Sequence, residues 1–86
     1  MTVEIELTAL ADSFAGRLPD SIIEDVKEYV DFREWGVAFN LLCEQLYEFD
    51  IAISESEWEQ IENIGKALKL EDYSWIELKE LLEPGV

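Results

Sequence analysis

The chain has 86 residues, 49% of them apolar, and a formal net charge of −15 from 21 acidic and 6 basic side chains. That apolar share is too rich for disorder and is enough for one small core, so residues 1–86 are expected to form a single acidic domain. The charge argues against direct binding to nucleic acid or to an anionic membrane, both of which demand basic patches, and no apolar run approaches the roughly 20 residues of a membrane span.

Helical periodicity runs through almost every segment. Leu7, Leu10, Ala11, Phe14 and Leu18 space as one helical face, with Gly16 as a stop. Val3 to Leu7 alternates as a short strand would, but nothing offers a second strand to pair with it, so a helix is expected there. Pro19 suits the first turn of a second helix, whose start Asp20 or Ser21 can cap or charge. Its apolar face is Ile22, Ile23, Val26, Tyr29 and Val30. A third helix is predicted from about Arg33 to Tyr47, with Trp35, Ala38, Phe39, Leu42, Leu46 and Phe49 inward. After the connector Asp50 to Ile53, Ser54-Glu55-Ser56-Glu57 reads as a capping box, and Ile53 stands where a hydrophobic staple to Trp58 would fall. The fourth helix presents Trp58, Ile61, Ile64, Gly65 and Leu68. A second box, Ser74-Trp75-Ile76-Glu77, predicts a fifth short helix through Leu78, Leu81 and Leu82, ended by Pro84-Gly85. The expected fold is all-α, a compact bundle of four to five short helices.

The chemistry of common active sites is missing. Without histidine there is no usual general base, no serine triad in its common form and no Glu-x-x-His di-iron helix. Cys43 lies in an apolar helical run with no second thiol for zinc, and neighbouring Glu44 disfavours its thiolate. An EF-hand loop beginning at Asp31 puts Gly36 correctly, but Arg33 and Trp35 fall on ligand positions and Leu42 stands where a bidentate glutamate is required. No catalytic residue, cofactor or metal is therefore expected, and the chain is not expected to be an enzyme. Asp20-Ser21-Ile22 is similar to the attachment site of acyl carrier proteins, but Ser21 comes earlier than the mid-chain serine of that family; an acyl-carrier-like role is kept as a weaker alternative. The lone cysteine and an N-terminus without the basic start and apolar stretch of a signal peptide make the cytoplasm the expected compartment.

The acids carry the functional reading. Like charges four apart on a helix cost about 0.2–0.5 kcal/mol per pair, yet Glu24/Glu28, Glu44/Glu48 and Glu55/Glu59 all have that spacing. Acids in first turns complement the helix dipole, which accounts for Glu55, Glu57 and Glu77. It does not account for Glu28, Asp31, Glu44, Glu48 or Asp50, which come late in their helices. Those five, with Glu55 and Glu59 continuing the acidic pattern, are the candidate partner-binding carboxylates. Of the aromatics, Trp35, Tyr47, Tyr73 and Trp75 are hard to seat in a core, and Tyr47 and Tyr73 join the candidate site because charge-rimmed tyrosines suit interface anchors. The expected partner is a basic protein; no direct nucleic acid, membrane or small molecule is expected.

Leu18-Pro19 before the second helix, Glu34-Trp35-Gly36-Val37-Ala38-Phe39, Leu42-Cys43-Glu44-Gln45-Leu46-Tyr47-Glu48 and Ile53-Ser54-Glu55-Ser56-Glu57-Trp58 follow in an order that resembles the MafI family of bacterial immunity proteins. The resemblance covers about three quarters of the chain, mostly at core and cap positions. It implies a cytoplasmic inhibitor that neutralises the C-terminal domain of a polymorphic or contact-dependent inhibition toxin. Many such toxins are nucleases (RNases or tRNases among them), whose surfaces are basic because they bind phosphate. An acidic inhibitor could compete for that surface. The main alternative is an acidic DNA mimic or regulator of a nucleic-acid-binding protein.

Overall fold

The computed structural model describes residues 2–83. Four α-helices, α1 (Val3–Ser13), α2 (Asp20–Asp31), α3 (Trp35–Glu48) and α4 (Glu55–Ala67), precede two 3₁₀ segments, η1 (Asp72–Ser74) and η2 (Ile76–Leu81). The chain is all-α, and among the described residues β-pairing is confined to the isolated bridges Ala15–Leu18 and Ile53–Leu82.

Thr2 begins α1, its hydroxyl accepting the Ile5 N–H at 3.3 Å, so Val3 to Leu7 is helical as expected. Leu7, Leu10, Ala11 and Phe14 are fully buried. Gly16, at φ +88°, turns the chain out of α1. At α2 the expected cap fails, because Pro19 itself is the N-cap and no side chain accepts there. Asp20 and Ser21 fall inside the first turn, where Asp20 acts on the helix dipole alone. Ile23, Val26 and Val30 are buried, whereas Tyr29, expected inward, is 40% exposed. The core stripe is narrower than the apolar pattern suggests.

α3 begins at Trp35 rather than Arg33, because Arg33 takes a positive φ of 61°. Trp35 is half-buried and its indole N–H donates to the Val30 carbonyl at 3.3 Å. Ala38, Phe39, Leu42 and Leu46 are buried as expected, but Phe49 is 48% exposed. The helix stops at Glu48, so Phe49 is its C-cap, beyond the last buried turn at Leu46.

α4 opens with both halves of the expected capping box: Glu57 N–H donates to Ser54 Oγ at 3.1 Å and Ser54 N–H to Glu57 Oε1 at 2.9 Å. Ile53 and Trp58 are both buried, and so are Ile61, Ile64 and Gly65; Leu68 is only partly so. The second box does not form. Ser74 ends η1, Trp75 breaks the helix at φ −134°, and the last turns are 3₁₀. The cause is Trp75, which is not left at the surface but buried to 2% exposure. It packs edge-on against Phe39 with ring centroids 6.0 Å apart, and its ring lies over Gly65, where a Cβ would come within 2.6 Å of Cε3. Ile53 then ties the 3₁₀ segment down through Ile53 N–H to Leu81 O and Glu83 N–H to Ile53 O, both at 2.9 Å. The predicted stop at Pro84-Gly85 lies outside the described residues.

Three helix ends share one geometry. After α2, α3 and α4 the chain passes through a left-handed residue, Arg33, Asp50 and Lys69 respectively. Each carries the paired bonds of a Schellman motif: Glu34 N–H to Tyr29 O with Arg33 N–H to Val30 O, Ile51 N–H to Leu46 O with Asp50 N–H to Tyr47 O, and Leu70 N–H to Gly65 O with Lys69 N–H to Lys66 O. Glycine is the usual residue there, and none of the three positions has it.

One buried cluster joins all the helices, and α1 packs against α2, α3 and α4. No helix among the described residues is long and apolar enough to cross a membrane.

Candidate protein-binding surface

The outer side of α3 is the place where exposed aromatic and acidic residues meet. With Ala38, Phe39, Leu42 and Leu46 turned into the core, Val37, Asn40, Glu44, Tyr47 and Glu48 are left exposed. Two grooves border this ridge and share Asn40 and Glu44. One, of about 650 Å³, runs between α3 and the 3₁₀ segments, with Glu44, Tyr47 and Glu48 facing Leu70, Glu71, Tyr73 and Glu77. The other, of about 590 Å³, lies between α2 and α3, with Asp25, Glu28, Tyr29 and Phe32 facing Val37, Leu41 and Glu44.

Charge is compensated elsewhere. Among the described residues three ion pairs form, Arg17–Glu57 at 2.6 Å, Lys27–Asp12 at 2.9 Å and Lys66–Glu62 at 3.9 Å. None involves α3. Six carboxylates line the two grooves (Asp25, Glu28, Glu44, Glu48, Glu71, Glu77) against one base, Lys69. The Tyr47 phenol registers this field: its hydroxyl donates to Glu80 Oε2 at 3.2 Å. That bond, and the charges of Glu80, Glu77 and Asp50, hold its pKa above the ordinary tyrosine value. Cys43, at the back of the same groove, is buried to 3% exposure. Burial, then the charge of Glu44, raises its thiol pKa, so it behaves as a core residue.

Of the expected site residues, Glu44, Tyr47, Glu48 and Tyr73 come together along the first groove. Glu28 lines the second with Glu44. Asp50 lines neither groove; its charge contributes to raising the Tyr47 pKa, and its left-handed backbone role at the end of α3 is enough to explain it. Asp31, the last residue of α2, and Glu55 and Glu59 on α4 are exposed and line neither groove.

Phe32, Tyr29, Val37 and Leu41 were not among the expected site residues, yet they make the apolar part of the second groove. The signal was present as two stripes at helical spacing, Asp25–Tyr29–Phe32 and Val37–Leu41–Glu44, each displaced from the core stripe of its helix. Sequence alone could not say that the two would face each other.

No protein-family model, curated protein or solved structure matches the chain. Any functional reading therefore rests on these residues and their geometry.

Proposed function

We propose that this protein is a cytoplasmic, non-enzymatic immunity protein that neutralises a basic bacterial toxin domain by covering its cationic surface with the outer side of α3. One observation carries the reading. Of eight large apolar side chains exposed among the described residues, five (Tyr29, Phe32, Val37, Tyr47, Tyr73) line the two grooves beside α3, where six carboxylates face a single base, Lys69. Aromatic anchors in clefts rimmed by charge are how protein interfaces concentrate binding energy, and an unbalanced acidic field speeds encounter with a basic partner. A nuclease, whose substrate-binding surface must be basic, is the toxin class that fits this field best. The resemblance of the motif order, from Leu18-Pro19 to Ile53-Ser54-Glu55-Ser56-Glu57-Trp58, to MafI-type proteins is in keeping with the same reading.

An acidic DNA mimic would need the carboxylates but not the apolar side chains between them, so a shaped protein partner is favoured. The carrier alternative has less support: Ser21 lies in the first turn of α2 and lines neither groove.

Co-expression with the toxin encoded beside this gene tests the proposal. The wild-type chain is expected to protect cells, and Glu44→Lys combined with Glu48→Lys to abolish protection while leaving the helical circular-dichroism signal intact. Absence of protection by the wild type would refute it. Full protection by the double variant would move the interface off α3.

A further inference from the structure

The groove between α2 and α3 has a composition of its own. Phe32 is 70% exposed, Val37 45% and Tyr29 40%, and partly buried Leu41 lies with them. Asp25, Glu28 and Glu44 border this apolar strip, and no base lines it. Three large apolar side chains left in water beside three carboxylates suit an occupant that is apolar on one side and cationic at its edges.

The walls narrow the choice of occupant further. Both are α-helices, whose mid-helix backbone groups are already bonded, so there is no free edge for an extended strand to pair with. A second copy of the chain would bring another net charge of −15 against the acidic rim, which opposes self-association. A helix with an apolar stripe meets both conditions, since it satisfies its own backbone and can carry lysine or arginine on either side of the stripe.

The geometry points to the α2–α3 groove as the docking site for a lysine- or arginine-flanked amphipathic helix of the partner, with Phe32 as the apolar anchor. This refines the inhibitor reading above and rests on it for the identity of the partner. From Asp25 to Phe32 the α2 wall spans roughly 10 Å at about 1.5 Å per residue, which matches some two turns on the incoming helix. The groove on the other side of α3 would take a separate part of the same partner.

The test uses the intact, isotopically labelled protein and two synthetic peptides of identical leucine and lysine composition, one patterned at helical spacing and one scrambled. The patterned peptide is expected to bind about tenfold more tightly, the scale of one well-seated anchor, and to shift backbone amides within residues 25–44. Phe32→Ser, which alters an exposed side chain and leaves the core untouched, is expected to lose about tenfold in affinity. Tyr73→Ser in the other groove is expected to leave it unchanged. Equal binding of the two peptides, shifts confined to other segments, an indifferent Phe32→Ser variant or dimerisation of the free chain would each overturn the assignment. Because no toxin is present, the outcomes separate: protection without patterned-peptide binding removes this inference alone, and peptide binding without protection removes the inhibitor reading.

Discussion

Gly65 lies against the Trp75 indole so closely that a Cβ would come within 2.6 Å of Cε3 and 2.8 Å of Cη2. The ring is rigid and held between α4 and Phe39, so it cannot move aside cheaply. Gly65→Ala is therefore expected to destabilise the fold by about 1–3 kcal/mol despite the better helix propensity of alanine, measured as a lower urea midpoint. The opposite sign is expected at Arg33 and Asp50, whose left-handed φ values of 61° and 53° burden an L-residue. Arg33→Gly and Asp50→Gly should each raise stability by about 0.5–1 kcal/mol, since the relief of strain exceeds the entropy that glycine loses on folding; a lower urea midpoint in either variant would contradict this. Apolar periodicity foretold the burial of Phe39 and Leu46, but neither the tryptophan notch at Gly65 nor the left-handed turns. Glycine in a helical pattern does not name the ring that crosses it, and arginine, aspartate and lysine are poor markers for a left-handed residue.

The start of α4 is the best-determined element in the molecule, and a residue far away in sequence reinforces it. Glu57 completes the capping box and also receives Arg17, whose Nη1 donates to Oε1 at 3.2 Å and Nη2 to Oε2 at 2.6 Å. Arg17 bonds the Ser13 carbonyl at 2.8 Å as well and lies 4.5 Å from the centre of the Phe14 ring. It thereby fastens the turn after α1 to the first turn of α4. Burial pushes the Glu57 carboxyl upward, but the bonds from Arg17 and Ser54 outweigh it and leave the group below its ordinary value of 4.5. A carboxylate depressed in the folded state contributes stability that is complete above the unfolded value and disappears as pH falls through the folded one. Glu57→Gln is thus expected to cost about 1 kcal/mol at neutral pH. In urea melts taken at successive pH values the gap to wild type should hold down to about pH 4.5 and close below it. A gap that stays constant to pH 2 would show that the charge of Glu57 is not what matters. The Ser54–Glu57 box was legible because its partners are three residues apart, and Arg17 was not because the contact joins segments that the sequence keeps distant. The same contrast explains Ser74 to Glu77, a box by spacing that does not form because burial of Trp75 takes precedence.

At the scale of the whole molecule, 21 acids and 6 bases share a small surface. Among the described residues the ion pairs join α1 to α2, tie the turn before α2 to α4, and link Glu62 to Lys66 within α4, while none reaches α3. Screening should therefore stabilise the free protein: raising sodium chloride from about 10 mM to about 150 mM shortens the Debye length from about 30 Å to about 8 Å, and the melting temperature is expected to rise. A fall would mean that the ion pairs outweigh the repulsion. Complex formation with a basic partner should respond in the opposite direction, its association rate falling steeply over the same range.

Composition, capping signals and periodicity determined by themselves that the chain is helical, where its four main helices lie and that its surface is acidic, because each follows from interactions within a turn or two of chain. Tertiary structure decided which acids share a surface. Glu44, Tyr47 and Tyr73 meet, and Glu28 faces Glu44, only because α3 packs between α2 and the 3₁₀ segments. Glu55 and Glu59, alike in charge and exposure, belong to a helix packed on α1 and η1 instead. Tertiary structure also turned Tyr29 outward and Trp75 inward, since a core of this size has room for one narrow stripe per helix and fills it with the side chains that fit best.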